Sequence, residues 1–104
     1  WETQDRQRDI QAAENAWQMA KDMMDDESFD LIILDELNIP LRYDNLDIDA
    51  VVKTLRDKRE RLHVVVTGRN AKEPLLEAAD LVTEMTMVKH PFRAGVKAQK
   101  GIEF

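Results

Sequence analysis

Hydrophobic positions recur along the chain with two different periods, and each period predicts one type of secondary structure. Near the N-terminus they fall three and four residues apart, on one helix face, which predicts a helix over 4–25 with Thr3 as its N-cap. The same spacing predicts a helix over 48–60, capped by Asp47, and a short one over 74–79 with a proline in its first turn.

Continuous apolar runs lie between these helices and predict buried strands. The second run is rich in valine and is typical of a strand covered on both faces. Pro40 interrupts the segment between the first strand and the second helix, which we interpret as a loop, and 89–104 as an extended tail. The predicted strands cover 30–35, 62–68 and 81–88.

The alternation of helices and strands predicts an α/β fold, a parallel open sheet with helices on its faces. Three strands make a thin sheet, and its open edges need to be paired or covered. The chain also begins on Trp1 rather than on methionine. We therefore expect either a piece of a longer protein or a chain that pairs with a second copy.

Composition narrows the classes of function. The chain has 104 residues, enough for one domain, and its net charge of −6 without a basic stripe argues against nucleic acid as a partner. It contains no cysteine, which excludes disulfides and thiolate metal sites. No apolar run is long enough for a membrane span, and the first residues do not form a signal peptide. A cytoplasmic protein fits these features.

Polar residues follow each predicted strand, at the sheet edge where α/β proteins bind ligands. Carboxylates, a hydroxyl and cations there could hold Mg²⁺ and a phosphate chain. The alternative is that charged residues mark the point where a strand reaches water. A phosphate-binding G-x-x-x-x-G-K-[ST] loop is absent from the sequence. The residues are Asp35 and Glu36 after the first strand, Thr67, Gly68 and Arg69 after the second, and Lys89 and His90 after the third.

One resemblance is to the receiver domains of response regulators. "FDLIILDELNIP" is similar to their phospho-acceptor strand, with Asp35 as the acceptor, and "VVVTGR" to the segment that carries their switch threonine, here Thr67. The final lysine would be Lys89. The chain departs from the receiver pattern because Pro40 is one residue late and His90 separates Lys89 from the following proline.

A second resemblance covers essentially the whole chain. "WETQD", "LDELN", "HVVVTGR" and "ADLVTEMTMVKHPFRAGVKAQKGIEF" resemble ATP:corrinoid adenosyltransferases of the CobA/CobO/BtuR type, and the last segment is the most specific. The resemblance implies part of a P-loop NTPase (RecA-like) fold, with residues 1–104 as one domain forming the C-terminal half. In this family the P-loop lies upstream of the first motif, so we expect the isolated chain to be inactive.

The resemblance also implies a reaction. The family transfers the 5′-deoxyadenosyl group of ATP to the Co(I) of a corrinoid such as cobalamin and releases triphosphate. By resemblance Glu36 is a ligand of the Mg²⁺ that accompanies ATP, Asp35 supports it, and Trp1 and Arg69 contact the corrinoid. Thr67, Lys97 and Gln99 belong to the family motifs.

The partners implied by the resemblance are a second copy of the chain in a homodimer and an electron-donating flavoprotein reductase, with no nucleic acid and no membrane. Two alternatives remain open at the level of sequence. One is the receiver-like phospho-acceptor module, and the other is a non-catalytic scaffold that forms oligomers through its open sheet edge.

Overall fold

The computed structural model describes residues 2–90 and shows an α/β arrangement of four helices and two strands over that range. Across these residues, no helix combines the length and the apolar character that crossing a bilayer requires. In chain order the elements are α1 (Glu2–Asp25), β1 (Leu31–Leu34), α2 (Asn38–Arg42), α3 (Ile48–Arg56), β2 (His63–Val66) and α4 (Glu73–Ala78).

The two strands pair in parallel, as the sequence predicts, with Leu31 opposite His63 and Leu34 opposite Val66. The sequence predicts that the valine-rich second strand is covered on both faces of the sheet, but within the described residues only one face is covered. Ile32 is buried under α1, whereas Ile33 is 59% exposed and Val65 is 45% exposed on the opposite face. The sheet therefore presents an uncovered apolar face within the described residues.

The predicted third strand is wrong. Residues 81–88 have no strand assignment, and every one of them is exposed. Leu81 is 81% exposed and Met85 is 91% exposed. The apolar composition of this segment gives it strand propensity, but a strand forms only where a neighbour accepts and donates its backbone hydrogen bonds. Within the described residues the segment has no such neighbour.

A short helix, α2, replaces the loop predicted around Pro40. Leu37 and Leu41, four residues apart, are both buried and fix this turn against the core. Pro40 lies in the first turn, where backbone N–H groups have no intrahelical acceptor, so its missing N–H costs nothing there. Its carbonyl accepts the N–H of Asn45 at 2.8 Å, which closes the turn after the helix.

The other helices agree with the predicted positions and differ at their ends. α1 begins at Glu2, so Thr3 lies inside the helix rather than capping it. α3 starts as predicted, with the Asp47 carboxylate accepting the N–H of Asp49 at 3.1 Å, but it ends at Arg56 instead of 60. α4 covers 73–78 in place of the predicted 74–79.

The buried side chains form two clusters, and the half-buried Leu34 and Leu55 pack against both. The larger cluster joins α1, α2, α3 and α4 around Trp17, and the smaller one joins the end of α1 to the sheet through Met24, Ile32 and Leu62. The remaining members of the larger cluster are Ala20, Leu37, Leu41, Leu46, Val51, Val52 and Leu75.

Arg59, in the connection between α3 and β2, binds the backbone at the end of α1 and in the connection to β1. Its guanidinium donates to three backbone carbonyls, those of Met24 at 3.2 Å, Asp26 at 3.0 Å and Phe29 at 2.5 Å. Carbonyls at the end of a helix have no intrahelical donor, and a planar guanidinium can serve several of them at once. One side chain thus fastens the end of α1 to the beginning of the sheet.

Candidate functional site

The carboxyl ends of the two strands bring three of the predicted site residues together. Because Leu34 is opposite Val66 in the parallel register, the residues that follow, Asp35 and Thr67, meet at the same edge. The Thr67 Oγ1 hydroxyl donates to Asp35 Oδ1 at 2.6 Å and accepts the backbone N–H of Glu36 at 3.1 Å. We call Asp35, Glu36 and Thr67 the acid edge.

Glu36 has an unusual backbone conformation at this edge. Its φ of 61° lies in the left-handed region, which non-glycine residues adopt at a cost of about 1–2 kcal/mol. The turn directs the chain from β1 into α2, and the Glu36 carbonyl accepts the N–H of Ile39 at 3.1 Å. Strain of this kind often marks a side chain whose position matters for function. The Glu36 side chain is exposed and accessible to a ligand.

The connection from β2 to α4 supplies the second side of the site. Gly68 has φ of 148° and Asn70 has φ of 55°, so the chain turns twice in conformations that most residues avoid. Arg69, between them, is exposed. The Lys72 ammonium, at the start of α4, lies 3.1 Å from Asp44 Oδ1, which ties this connection to the turn between α2 and α3.

For the other predicted site residues, the described part of the chain gives no contact with the acid edge that supports the prediction. Without a strand over 81–88, the reason to expect Lys89 and His90 at the same sheet edge disappears. Trp1, Lys97 and Gln99 lie outside the described residues, as does most of the predicted tail.

The donor set at the acid edge fits a hard divalent cation that is shared with a ligand. Asp35 and Glu36 supply carboxylate oxygens, and Mg²⁺ commonly takes one or two protein carboxylates together with water and phosphate oxygens. Among residues 2–90 no group of three or more potential metal-ligating side chains is assembled. The edge is thus suited to a metal that arrives with a phosphate chain rather than to one held entirely by protein.

Asn38 is a residue of this region that the sequence did not indicate. It opens α2 and is only 6% exposed. The apolar spacing of Leu37 and Leu41 could have predicted the helix that carries it. Nothing in the sequence alone shows that its amide is buried.

Comparison with known proteins identifies the family. The family model of the ATP:corrinoid adenosyltransferases BtuR/CobO/CobP matches residues 1–104. The chain belongs to this family.

Among curated relatives, a corrinoid adenosyltransferase of a Sinorhizobium species is 57% identical over 105 residues, covering 100% of this chain and 49% of that protein. The corresponding enzyme of Pseudomonas aeruginosa is 54% identical, covering 100% of this chain and 51% of that protein. The one from Escherichia coli is 44% identical, with 100% and 53% covered. The chain therefore spans about half the length of the corrinoid adenosyltransferases it matches.

Proposed function

We propose that this chain forms the acid edge and the corrinoid-facing part of a corrinoid adenosyltransferase. The reaction would transfer the 5′-deoxyadenosyl group of ATP to the Co(I) of a corrinoid. A Co–C bond forms as the C5′–O bond of ATP breaks, and triphosphate leaves. The observation that carries the proposal is the family match over residues 1–104. The same match favours this activity over a receiver-like module.

In this proposal Glu36 is the direct protein ligand of the magnesium ion, and Asp35 is a supporting contact. One Asp35 oxygen already accepts the Thr67 hydroxyl, whereas the Glu36 carboxylate extends from an exposed turn. The ion, bound with ATP, would stabilise the charge that builds on the departing triphosphate. Glu36 would not act as a base toward water, because water has to be kept from the reacting carbon.

Thr67 would hold the two acids in a fixed relation. Its hydroxyl bridges the Asp35 side chain and the Glu36 backbone, so neither residue can turn independently. Catalysis that depends on positioning and charge requires groups already in place before the substrate arrives. The P-loop NTPase (RecA-like) fold, by resemblance, would add the phosphate-binding loop from the other half of the protein.

The corrinoid contacts would come from Arg69 and Trp1. Arg69 lies two residues beyond Thr67 in the exposed turn, within the same connection that builds the acid edge. By resemblance, the Trp1 ring would lie against the corrinoid and keep one of its faces dry. Within the described residues, Arg6 Nη1 donates to the Tyr43 carbonyl at 3.3 Å and so joins α1 to the end of α2.

A chimaeric enzyme tests the proposal. Residues 1–104 replace the matching segment of the Sinorhizobium relative, to which the chain is 57% identical. The absorbance change on conversion of cob(I)alamin to adenosylcobalamin measures the rate. We expect turnover by the chimaera and a loss of at least about a hundredfold for Glu36→Gln, because a metal's charge stabilisation is worth several kcal/mol. Glu27→Gln, an exposed glutamate before β1, is the matched control.

The isolated chain has its own expected behaviour. Without a P-loop it should be inactive and should bind MgATP weakly, so isothermal titration should give no measurable heat. Binding with a micromolar Kd that disappears in Glu36→Gln would show that the chain holds nucleotide without a P-loop. A chimaera without activity, despite correct folding, would refute the proposed reaction. By family resemblance the complete enzyme would be a homodimer that receives its electron from a flavoprotein reductase.

The uncovered sheet face favours a second role, as an assembly surface. Leu31 is 53% exposed beside Ile33 and Val65, and parallel sheets are ordinarily covered on both faces. A second polypeptide layer on this face would remove the exposed apolar area from water. Light scattering on the wild type and on Ile33→Thr/Val65→Thr tests it. An oligomer that the double substitution dissociates supports assembly through this face, and a wild-type monomer argues against it.

A further inference from the structure

The side-chain oxygen of Asn38 is a buried acceptor two residues after Glu36, and no hydrogen bond within residues 2–90 accounts for it. Asn38 is 6% exposed, and its Oδ1 is buried without a hydrogen-bond partner among the described residues. An unsatisfied buried acceptor costs about 1–3 kcal/mol, which is a large fraction of the stability of a small domain. A side chain that is kept at such a cost needs a structural reason.

The packing of Gly68 against Asn38 gives that reason. A Cβ at position 68 would lie 2.6 Å from Asn38 Nδ2 and 2.8 Å from Asn38 Cβ, so no side chain fits there. Gly68 also has φ of 148°, which L-residues rarely adopt. Two separate features thus require glycine at this position, and one of them is the Asn38 side chain.

The contact between Asn38 and Gly68 joins the two chain segments that form the acid edge, the one after β1 and the one after β2. Asn38 is two residues after Glu36, and the buried Leu37 anchors the chain between them. Gly68 directly follows Thr67, whose hydroxyl bonds both acids. A shift of either partner would change the distance between the Thr67 hydroxyl and the Glu36 N–H.

We propose that Asn38 is a positioning residue, which holds the turn at Gly68 so that Thr67 bridges Asp35 and Glu36. Its side chain acts through shape, as a support under the turn, and its carboxamide does not contact the substrates. The consequence for magnesium binding rests on the proposed function. The positioning itself does not, because it concerns a hydrogen bond within the protein.

Amide hydrogen exchange of the full chain tests the positioning. The reporter is the Glu36 N–H, and the reference is the Val51 N–H, which donates to the Asp47 carbonyl at 3.0 Å in α3. In Asn38→Ala we expect Glu36 to exchange up to about tenfold faster, the equivalent of one lost hydrogen bond, while Val51 is unchanged. A purely structural role would accelerate both amides in parallel.

Asn45→Ala is the matched control, because Asn45 Oδ1 is also buried without a partner but lies at the far end of α2. This substitution should leave the ratio of the two exchange rates at its wild-type value. If Asn38→Ala does not fold, Asn38→Ser takes its place, since it also removes Nδ2. An unchanged ratio in the Asn38 variant, or an equal change in the Asn45 variant, would overturn the proposal.

A double-mutant cycle gives an independent check. Gly68→Ala alone should also accelerate exchange at Glu36, because the new Cβ is forced against Asn38. Combined with Asn38→Ala, the acceleration should be smaller than the product of the single effects, since the contacts with Nδ2 at 2.6 Å and Cγ at 3.0 Å are gone and only the 2.8 Å contact with Cβ remains. Effects that simply multiply would mean that the two positions act separately and would refute the proposed support. A failed chimaera assay with a positive exchange result would reject the reaction and leave the positioning intact.

Discussion

Two substitutions at Glu36 separate the free-energy cost of its left-handed backbone from the loss of its carboxylate. Glu36→Ala and Glu36→Gly both remove the side chain, but only glycine relieves the strain at φ of 61°. Relief amounts to about 1–2 kcal/mol. The greater freedom of glycine in the unfolded chain offsets about 0.4–1 kcal/mol of this. We therefore expect Glu36→Gly to be more stable than Glu36→Ala by about 1 kcal/mol.

Urea unfolding followed by circular dichroism measures the difference. Thermal unfolding of the same variants gives a second readout, because for a domain of this size 1 kcal/mol corresponds to a Tm difference of about 4–8 °C. Asp44, with φ of 55°, is the positive control, since its glycine variant should also be more stable than its alanine variant. Glu27, which has no positive φ, should show the reverse order. The reasoning fails if Glu36→Ala equals or exceeds Glu36→Gly in stability while Asp44 behaves as expected.

Three further predictions concern other contacts. Arg59→Ala should lower the free energy of unfolding by about 1–3 kcal/mol, and Arg59→Lys should recover less than half of this loss, because lysine lacks the planar guanidinium. Urea unfolding measures both losses, with Arg61→Ala as the control. Equal losses in Arg59→Ala and Arg61→Ala would contradict the prediction. Hydrogen bonds from the Ser28 hydroxyl and N–H lower the pKa of Asp26 in the folded protein. The stability that these bonds add is therefore fully present above the ordinary aspartate pKa, and it is lost as the pH falls through the lowered pKa of the folded state. Urea midpoints from about pH 5 to about pH 3 should therefore fall more in the wild type than in Ser28→Ala, and parallel curves would refute the linkage. Thr67→Val should remove both hydrogen bonds of the hydroxyl and lower chimaera activity, while Thr67→Ser keeps the bonds and the activity; equal activity of the two variants would exclude a role for the hydroxyl.

The elements that the sequence predicts well are those whose signals are local. The α1 face around Trp17 depends on residues three or four positions apart, and the Asp47 cap of α3 depends on a bond to Asp49 two positions on. Both are observed. The parallel pairing of the first two strands is also predictable, because the predicted helix between them is the crossover that parallel strands require. In the structure α2 and α3 form this crossover. The sheet edge that Asp35 and Thr67 share therefore follows from the order of the elements in the sequence.

The features that the sequence does not predict depend on partners. Apolar residues over 81–88 indicate strand propensity, but no pattern within the segment reveals whether a neighbouring strand is present. The exposure of Ile33 and Val65 depends in the same way on what covers the sheet. The left-handed turn at Glu36 and the buried amide of Asn38 arise where two distant segments meet, and neither residue type signals such a position.

The contacts of Arg59 have a consequence for how the chain opens. One guanidinium satisfies carbonyls from the last turn of α1, from the turn after it and from the residue two positions before β1. When the Arg59 side chain moves away, all three carbonyls lose their hydrogen bonds to it at the same time. We expect the end of α1 and the start of the sheet to behave as one cooperative opening unit, whose fluctuations are set by a residue outside both elements.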